Sequence, residues 1–393
     1  AYSILLDWYG GAPITTSFAD SVLPEKSNRQ QLYDFVVQEF TEVIPELSDD
    51  NGTDTYGRVN KWAALGILAR VHLNAEVYTG TPAYDQVIAL TDQIIDSGLY
   101  QLESEYRAPF ARDNHTSVET IWTVPYDALA ANGSNFHMKT LKPDLEEALG
   151  LLTQPWGGSA ANPQFFDTYD EDDQRLEDSW LMGPVFSDDG RFGYDFVQHV
   201  PGMQSLSDDV VEFNHGFPAW KYEIYPSMTG SSDVDYPILR YAEVLMMKAE
   251  ALLRTGDAGG AAALVTQVRQ RAFRDTNPAK ATVTGAELME GSSYNYGWYD
   301  RDGVVKTGPG GTPVENGGAN IPMGRFLDEL GWEFAAEAHR RADLIRFGVF
   351  TTKSWFNHQA DVERLGNADH LLLMPIPQGA LDENQNLTQN SGY

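Results

Sequence analysis

The side chains of this 393-residue chain best placed for chemistry are aromatic. A sugar offers flat C–H faces and a rim of hydroxyls, so a glycan site combines stacking rings with Asn, Gln, Asp, Arg or Lys groups that bond the rim. Nine Trp and nineteen Tyr supply the material, although helical packing takes up most aromatics of any fold. The informative ones sit among turn residues. Asn135 and Phe136 follow the Asn132-Gly133 turn, and Trp156 stands between Pro155 and Gly157. Tyr294, Tyr296, Trp298 and Tyr299 fall in a stretch rich in Gly and aromatics. Asn135, Phe136, Trp156, Tyr296 and Trp298 are therefore the candidate ligand-binding residues. Trp62, Trp122 and Trp332 lie inside regular patterns and are expected in the core.

Covalent and metal chemistry finds less support. There is no phosphate-binding Gly-rich loop, dinucleotide fingerprint, Gly-x-Ser-x-Gly elbow or His-Glu-x-x-His helix. Cysteine is absent, which removes disulfides, thiolate metal sites and a cysteine nucleophile. The eight histidines are scattered, and His72 reads as a packing residue within a helix. A glycoside hydrolase needs two carboxylates at a defined separation across a bond, and so many acids make any pair uninformative. The run Asp167–Asp178 lacks the central Gly and terminal Glu of a calcium loop and is expected to be a solvated acidic turn. No catalytic residue, metal or cofactor is expected. The formal charge of −30, from 57 acidic against 27 basic residues, repels phosphate backbones and argues against nucleic acid.

The elements that must position the aromatics are helical. Trp62, Leu65, Leu68, Ala69 and Leu73 fall at helical spacing, Gly80-Thr81-Pro82 breaks the run, and Tyr84, Val87, Ile88, Ile94 and Ile95 pattern a second helix that Gly98 can end. A similar hairpin spans Tyr236–Phe273, turning at Gly256-Asp257. Asn28–Val43 and Phe326–Phe347 pattern further helices. Ala1–Tyr9 reads as the second half of an amphipathic helix, so the native N-terminus is expected to precede this chain. No stretch approaches the roughly 20 apolar residues of a membrane helix. The predicted fold is one mainly α domain over 1–393, with helical hairpin repeats as scaffold (1–105, 236–275 and 326–350). Turn signals and short β-type runs such as Thr120–Val124 mark 106–235 as an irregular ligand-binding region, and 277–320 reads as a surface insertion.

Several blocks resemble the SusD/RagB family of outer-surface lipoproteins. LLDWYGGAP (Leu5–Pro13) is similar to its helix end and turn, and Gly57–Gly80 to its most recognisable helix. Tyr236–Leu252 resembles its Pro-x-x-Arg-x-Ala-Glu helix, and Arg340–Phe350 and Pro375–Tyr393 its C-terminal signatures. The resemblance implies tetratricopeptide-like helix pairs in an α-α superhelix. It also implies a non-catalytic role: capturing an oligosaccharide at the extracellular face of the outer membrane and delivering it to a TonB-dependent SusC-like transporter. A lipid on the preceding N-terminal segment would provide the anchor. In the starch-binding member, Asn135-Phe136 and Trp156 fall on aromatic platforms, with Phe136 replacing a tyrosine, and a further platform lies before this chain begins. That member's calcium-binding stretch corresponds to Arg112–Glu119, where acids are depleted and His115 intrudes. The alternative implied by the RagB branch is a peptide-capturing binder with the same transporter-lid role.

Overall fold

Each amphipathic run needs a partner for its apolar face, and consecutive runs supply it. A computed structural model of the chain describes residues 1–17, 23–198, 215–298, 306, 317–355 and 358–393. Helix α1 (Tyr2–Tyr9) packs on α2 (Arg29–Val43). A capping box starts α2: the Asn28 side chain accepts the Gln31 N–H at 2.9 Å, and the Gln31 side chain accepts the Asn28 N–H at 2.9 Å. Asn60 caps α3 (Lys61–Leu73), which packs on α4 (Tyr84–Asp96). α5 (Tyr241–Thr255) ends at Gly256 with φ +97°, and Asp257 caps α6 (Ala258–Phe273), which packs back on it. Because α5 also packs on α4, both pairs share one core, built on Leu65, Ala69, Val87, Ile94, Leu245 and Val265. The chain is mainly α, as its periodicity predicts.

Two antiparallel strand pairs interrupt the helices. Strand β1 (Thr120–Val124) pairs with β4 (Tyr236–Arg240), while β2 (Gly183–Phe186) pairs with β3 (Gly193–Phe196) across the Asp188-Asp189-Gly190 turn. The second hairpin therefore begins as a strand, and its helix starts only at Tyr241. Gly66 of α3 serves that strand: a Cβ there would lie 2.2 Å from Leu239 Cδ2. The absence of a side chain at Gly66 lets the strand approach the helix. The irregular region has a core of its own around Leu141, Leu145, Leu151, Ala161, Leu181 and Phe217.

The run Phe326–Phe347 is not one helix. It divides into α7 (Gly324–Glu333) and α8 (Arg340–Arg346), joined through Ala336 and Ala338 at φ 63° and 65°. Left-handed alanine is unfavourable, and the reason lies between the two. Glu337 reaches inward to accept from Arg240 Nε at 2.7 Å and Lys221 Nζ at 2.5 Å. It joins a buried ionic network in which Arg240 Nη1 also meets Glu119 and Glu333, each at 2.8 Å. Arg271 binds the same two carboxylates, and Arg175 clasps Asp173 at 2.7 Å while reaching Glu329 and Glu333. Burial opposes ionisation of Glu329, Glu333 and Glu337, yet the surrounding cations outweigh it and hold all three at about 2.

Candidate functional site

The site begins with a helix of one turn and a loop tied to it. Phe136–Thr140 is fixed from below: Met138 is fully buried, the Ala219 N–H donates to Thr140 Oγ1 at 2.7 Å, and His137 Nε2 contacts Thr229 O at 2.8 Å. Three backbone bonds hold the Trp156 loop against it. The N–H groups of Trp156, Gly157 and Ser159 donate to the carbonyls of Met138, Leu141 and Lys139 at 2.8, 2.9 and 2.9 Å. Gly158, at φ +137°, is needed here, since a Cβ would stand 2.9 Å from Lys139 O. With Pro155 buried, Trp156 is turned outward and is 60% exposed. The backbone thus brings Asn135, Phe136 and Trp156, distant by some twenty positions, onto one rigid unit.

Phe136 is half-buried, its ring edge-on to Tyr222 at 5.5 Å, and Tyr222 in turn stacks on Tyr236 at 5.9 Å. Together with Glu223 these rings border a cleft of about 20 Å³, room for a single water. Glu223 accepts the Arg112 N–H at 2.6 Å. The exposed Arg112 guanidinium lies 4.1 Å over the Tyr225 ring and pairs with Asp233 at 2.8 Å. The Tyr225 hydroxyl also donates to Asp233, and burial together with that carboxylate pushes it up to about 12, so it keeps its proton. A hydroxyl rim would find both donors and acceptors here. Sequence reasoning missed Tyr222, Tyr225 and Arg112. The clustered aromatics of Trp220–Tyr225 are the signal that could have found the tyrosines.

Tyr296 and Trp298 lie elsewhere. The stretch expected to be a surface insertion sends Tyr294 and Tyr296 inward, 6% and 1% exposed, with their rings 4.4 Å apart. Asp328 of α7 draws it in, accepting from Ser292 Oγ at 2.5 Å and the Ser293 N–H at 2.7 Å. Exposure as a loop platform is thus corrected to burial for Tyr296. Trp298 is half-buried, with the Lys306 ammonium 5.3 Å over its ring. Tyr299 lies outside the described residues.

The acidic run also departs from expectation. Asp173 is no solvated turn residue but a buried partner of Arg175, and Asp170 and Asp172 each meet Lys280 at 2.7 Å. Glu119, one of the two acids of the Arg112–Glu119 stretch, is committed to Arg240 and Arg271. No cluster of three or more His, Asp or Glu among the described residues is placed to hold a metal. Trp62 and Trp332 are buried, and Trp122 packs partly buried against the main core.

Comparison with known proteins agrees with this architecture. The model of the SusD family matches residues 210–393. Starch-binding protein SusD of Bacteroides thetaiotaomicron is 25% identical, over all of this chain and 70% of its own length. A SusD-like protein of Formosa agariphila is 23% identical, over 88% of this chain and 62% of its own. The solved structure of a laminarin-binding SusD-like protein superposes with a TM-score of 0.68 at 20% identity, covering 100% of this chain and 76% of that one. Residues 210–393 thus match the SusD family, and similarity of sequence to a SusD protein extends over the rest of the chain.

Proposed function

We propose that this chain is a non-catalytic binder that captures an oligosaccharide at the cell surface and delivers it to a TonB-dependent SusC-like transporter in the outer membrane. The observation that carries the reading is Trp156, 60% exposed on a loop whose main chain is tied to the Phe136–Thr140 helix by three backbone bonds. A ring presented outward beside Phe136 offers a face on which the flat side of a sugar can stack. Phe136 lies on the same unit, while Arg112, Glu223 and Asp233 supply polar groups nearby. Starch and laminarin, which the names of two relatives mention, are both uncharged glucans, and an uncharged ligand suits a chain of charge −30. The transporter, the extracellular face and a lipid anchor are what likeness to the family implies.

Calorimetry with malto-oligosaccharides, then with laminari-oligosaccharides, fructans, xylans and host glycans, tests this. Binding in the micromolar range or weaker is expected, weakened several-fold or more in Trp156→Ala and retained in Trp62→Phe. If no glycan binds, or a peptide library yields ligands indifferent to Trp156→Ala, the glycan reading fails and peptide capture replaces it.

A further inference from the structure

Apart from the Trp156 unit, the chain forms a half-open cavity of about 440 Å³ between α7, α8, the Pro163–Phe166 turn of helix and the Tyr294–Tyr296 stretch. That volume lies within the roughly 300–1,000 Å³ of small-molecule sites. Its wall is chiefly aromatic, with Phe165, Trp180, Tyr294, Tyr296, Phe334 and Trp355 all contributing rings. Ala336 and Ala338, the left-handed alanines of the α7–α8 connection, line it too.

The polar groups of this wall are mostly donors. Arg340 lines the cavity with its guanidinium 5.7 Å over the Phe165 ring. Nη1 donates to Leu327 O at 2.8 Å, and Arg340 has no ion pair among the described residues. The Tyr296 hydroxyl, 1% exposed, and the Trp180 indole N–H are buried without a well-formed hydrogen bond, the first beside Ser292 and Arg340 and the second beside Tyr169. The one carboxylate in the wall, Asp343, is neutralised by Arg346 at 2.9 Å. Asn162 also lines the cavity and already spends its side-chain oxygen on the Gln164 N–H.

From this cavity we infer a second ligand site, selective for a small aryl carboxylate: a flat ring against the aromatic wall, with the carboxylate accepting from Arg340. Tyr296 and Trp180 add donors in the same wall. A sugar fits this wall poorly, because hydroxyls around its whole rim would be buried without acceptors to meet them. A simple hydrocarbon would leave the Arg340 guanidinium without a counter-charge. Asn135, Phe136 and Trp156 take no part in the lining, so the inference stands apart from glycan capture.

Calorimetry of the intact chain at physiological salt with 4-hydroxycinnamate, its methyl ester and glucuronate tests the site. Saturable one-to-one binding is expected for 4-hydroxycinnamate. Binding should be about tenfold or more weaker for the ester, whose carboxylate charge is gone, and for Arg340→Gln. Trp156→Ala should leave it unchanged. The inference is overturned by an absence of saturable binding, by equal affinity for acid and ester, by glucuronate binding as tightly as the aryl acid, or by loss in Trp156→Ala. If Arg340→Gln does not fold, the comparison of acid and ester on the unaltered chain decides.

Discussion

Trp156 and Trp62 carry the same ring into opposite circumstances. Trp62 is 8% exposed, and its indole N–H donates to Asp49 O at 2.8 Å, so ring and polar edge are both satisfied within the fold. Trp156 keeps its ring in water. Stacking adds about 0.5–1.5 kcal/mol beyond the area covered, so Trp156→Ala should weaken glycan binding several-fold at least, with no loss of thermal stability. His72 shows the reverse economy of a buried polar group. Its Nδ1 lies 2.8 Å from the Tyr33 hydroxyl, and burial lowers its pKa to about 4. The unfolded imidazole takes its proton near 6.5. The folded value is the lower one, so the fold is fully stable above about 6.5 and loses stability as pH falls toward about 4. Asp178 acts in the opposite sense: burial raises it to about 6, and its contribution is lost as pH rises through that value. A single stability curve mixes the two. Urea unfolding at about pH 7 and about pH 5 should show a drop of about 2 kcal/mol attributable to His72, and that part of the drop should vanish in His72→Gln. An equal drop in both proteins would place the pH dependence elsewhere.

At the scale of elements, α7 acts as a clamp. Glu329 and Glu333, four residues apart on one face, meet Arg175, and Glu333 also meets Arg240 and Arg271. Glu333→Gln would leave these buried guanidinium groups short of a counter-charge, and breaking a buried pair in this way costs about 3–5 kcal/mol. Urea unfolding should register that loss, whereas Glu290→Gln at the surface should be close to neutral. The helices themselves were legible in the sequence because their periodicity is local: the runs Trp62–Leu73 and Asn28–Val43 fold as helices, and the turn at Gly256-Asp257 holds. The α7–α8 break was not legible. Alanine gives no turn signal, and its left-handed conformation is imposed by the distant Arg240 and Lys221 drawing in Glu337. The same distinction runs through the candidate site. Turn residues pointed to Phe136 and Trp156, but the ion pair of Arg112 with Asp233 joins positions 121 apart, and nothing local announces it.

For the whole molecule, the network decides where the charge goes. Arg175, Arg240, Arg269, Arg271 and Lys221 are turned inward and matched there by Glu119, Asp173, Glu329, Glu333 and Glu337. Most of the −30 of the chain is therefore carried at the surface, with fewer cations left to dilute it than the 27 in the sequence suggest. Such a surface repels itself, over a screening length of about 30 Å at 0.01 M salt and about 8 Å at 0.15 M. The melting temperature should therefore rise as sodium chloride is raised across that range. Ligand choice should feel the same field. A neutral malto-oligosaccharide should bind alike at both salt concentrations, while an oligogalacturonate of similar length should bind more weakly and gain affinity as salt screens the repulsion. Calorimetry at the two concentrations separates these cases. An anionic glycan that bound more tightly at low salt would mean that cations such as Arg112, not the acidic surface around them, govern approach to the Trp156 platform.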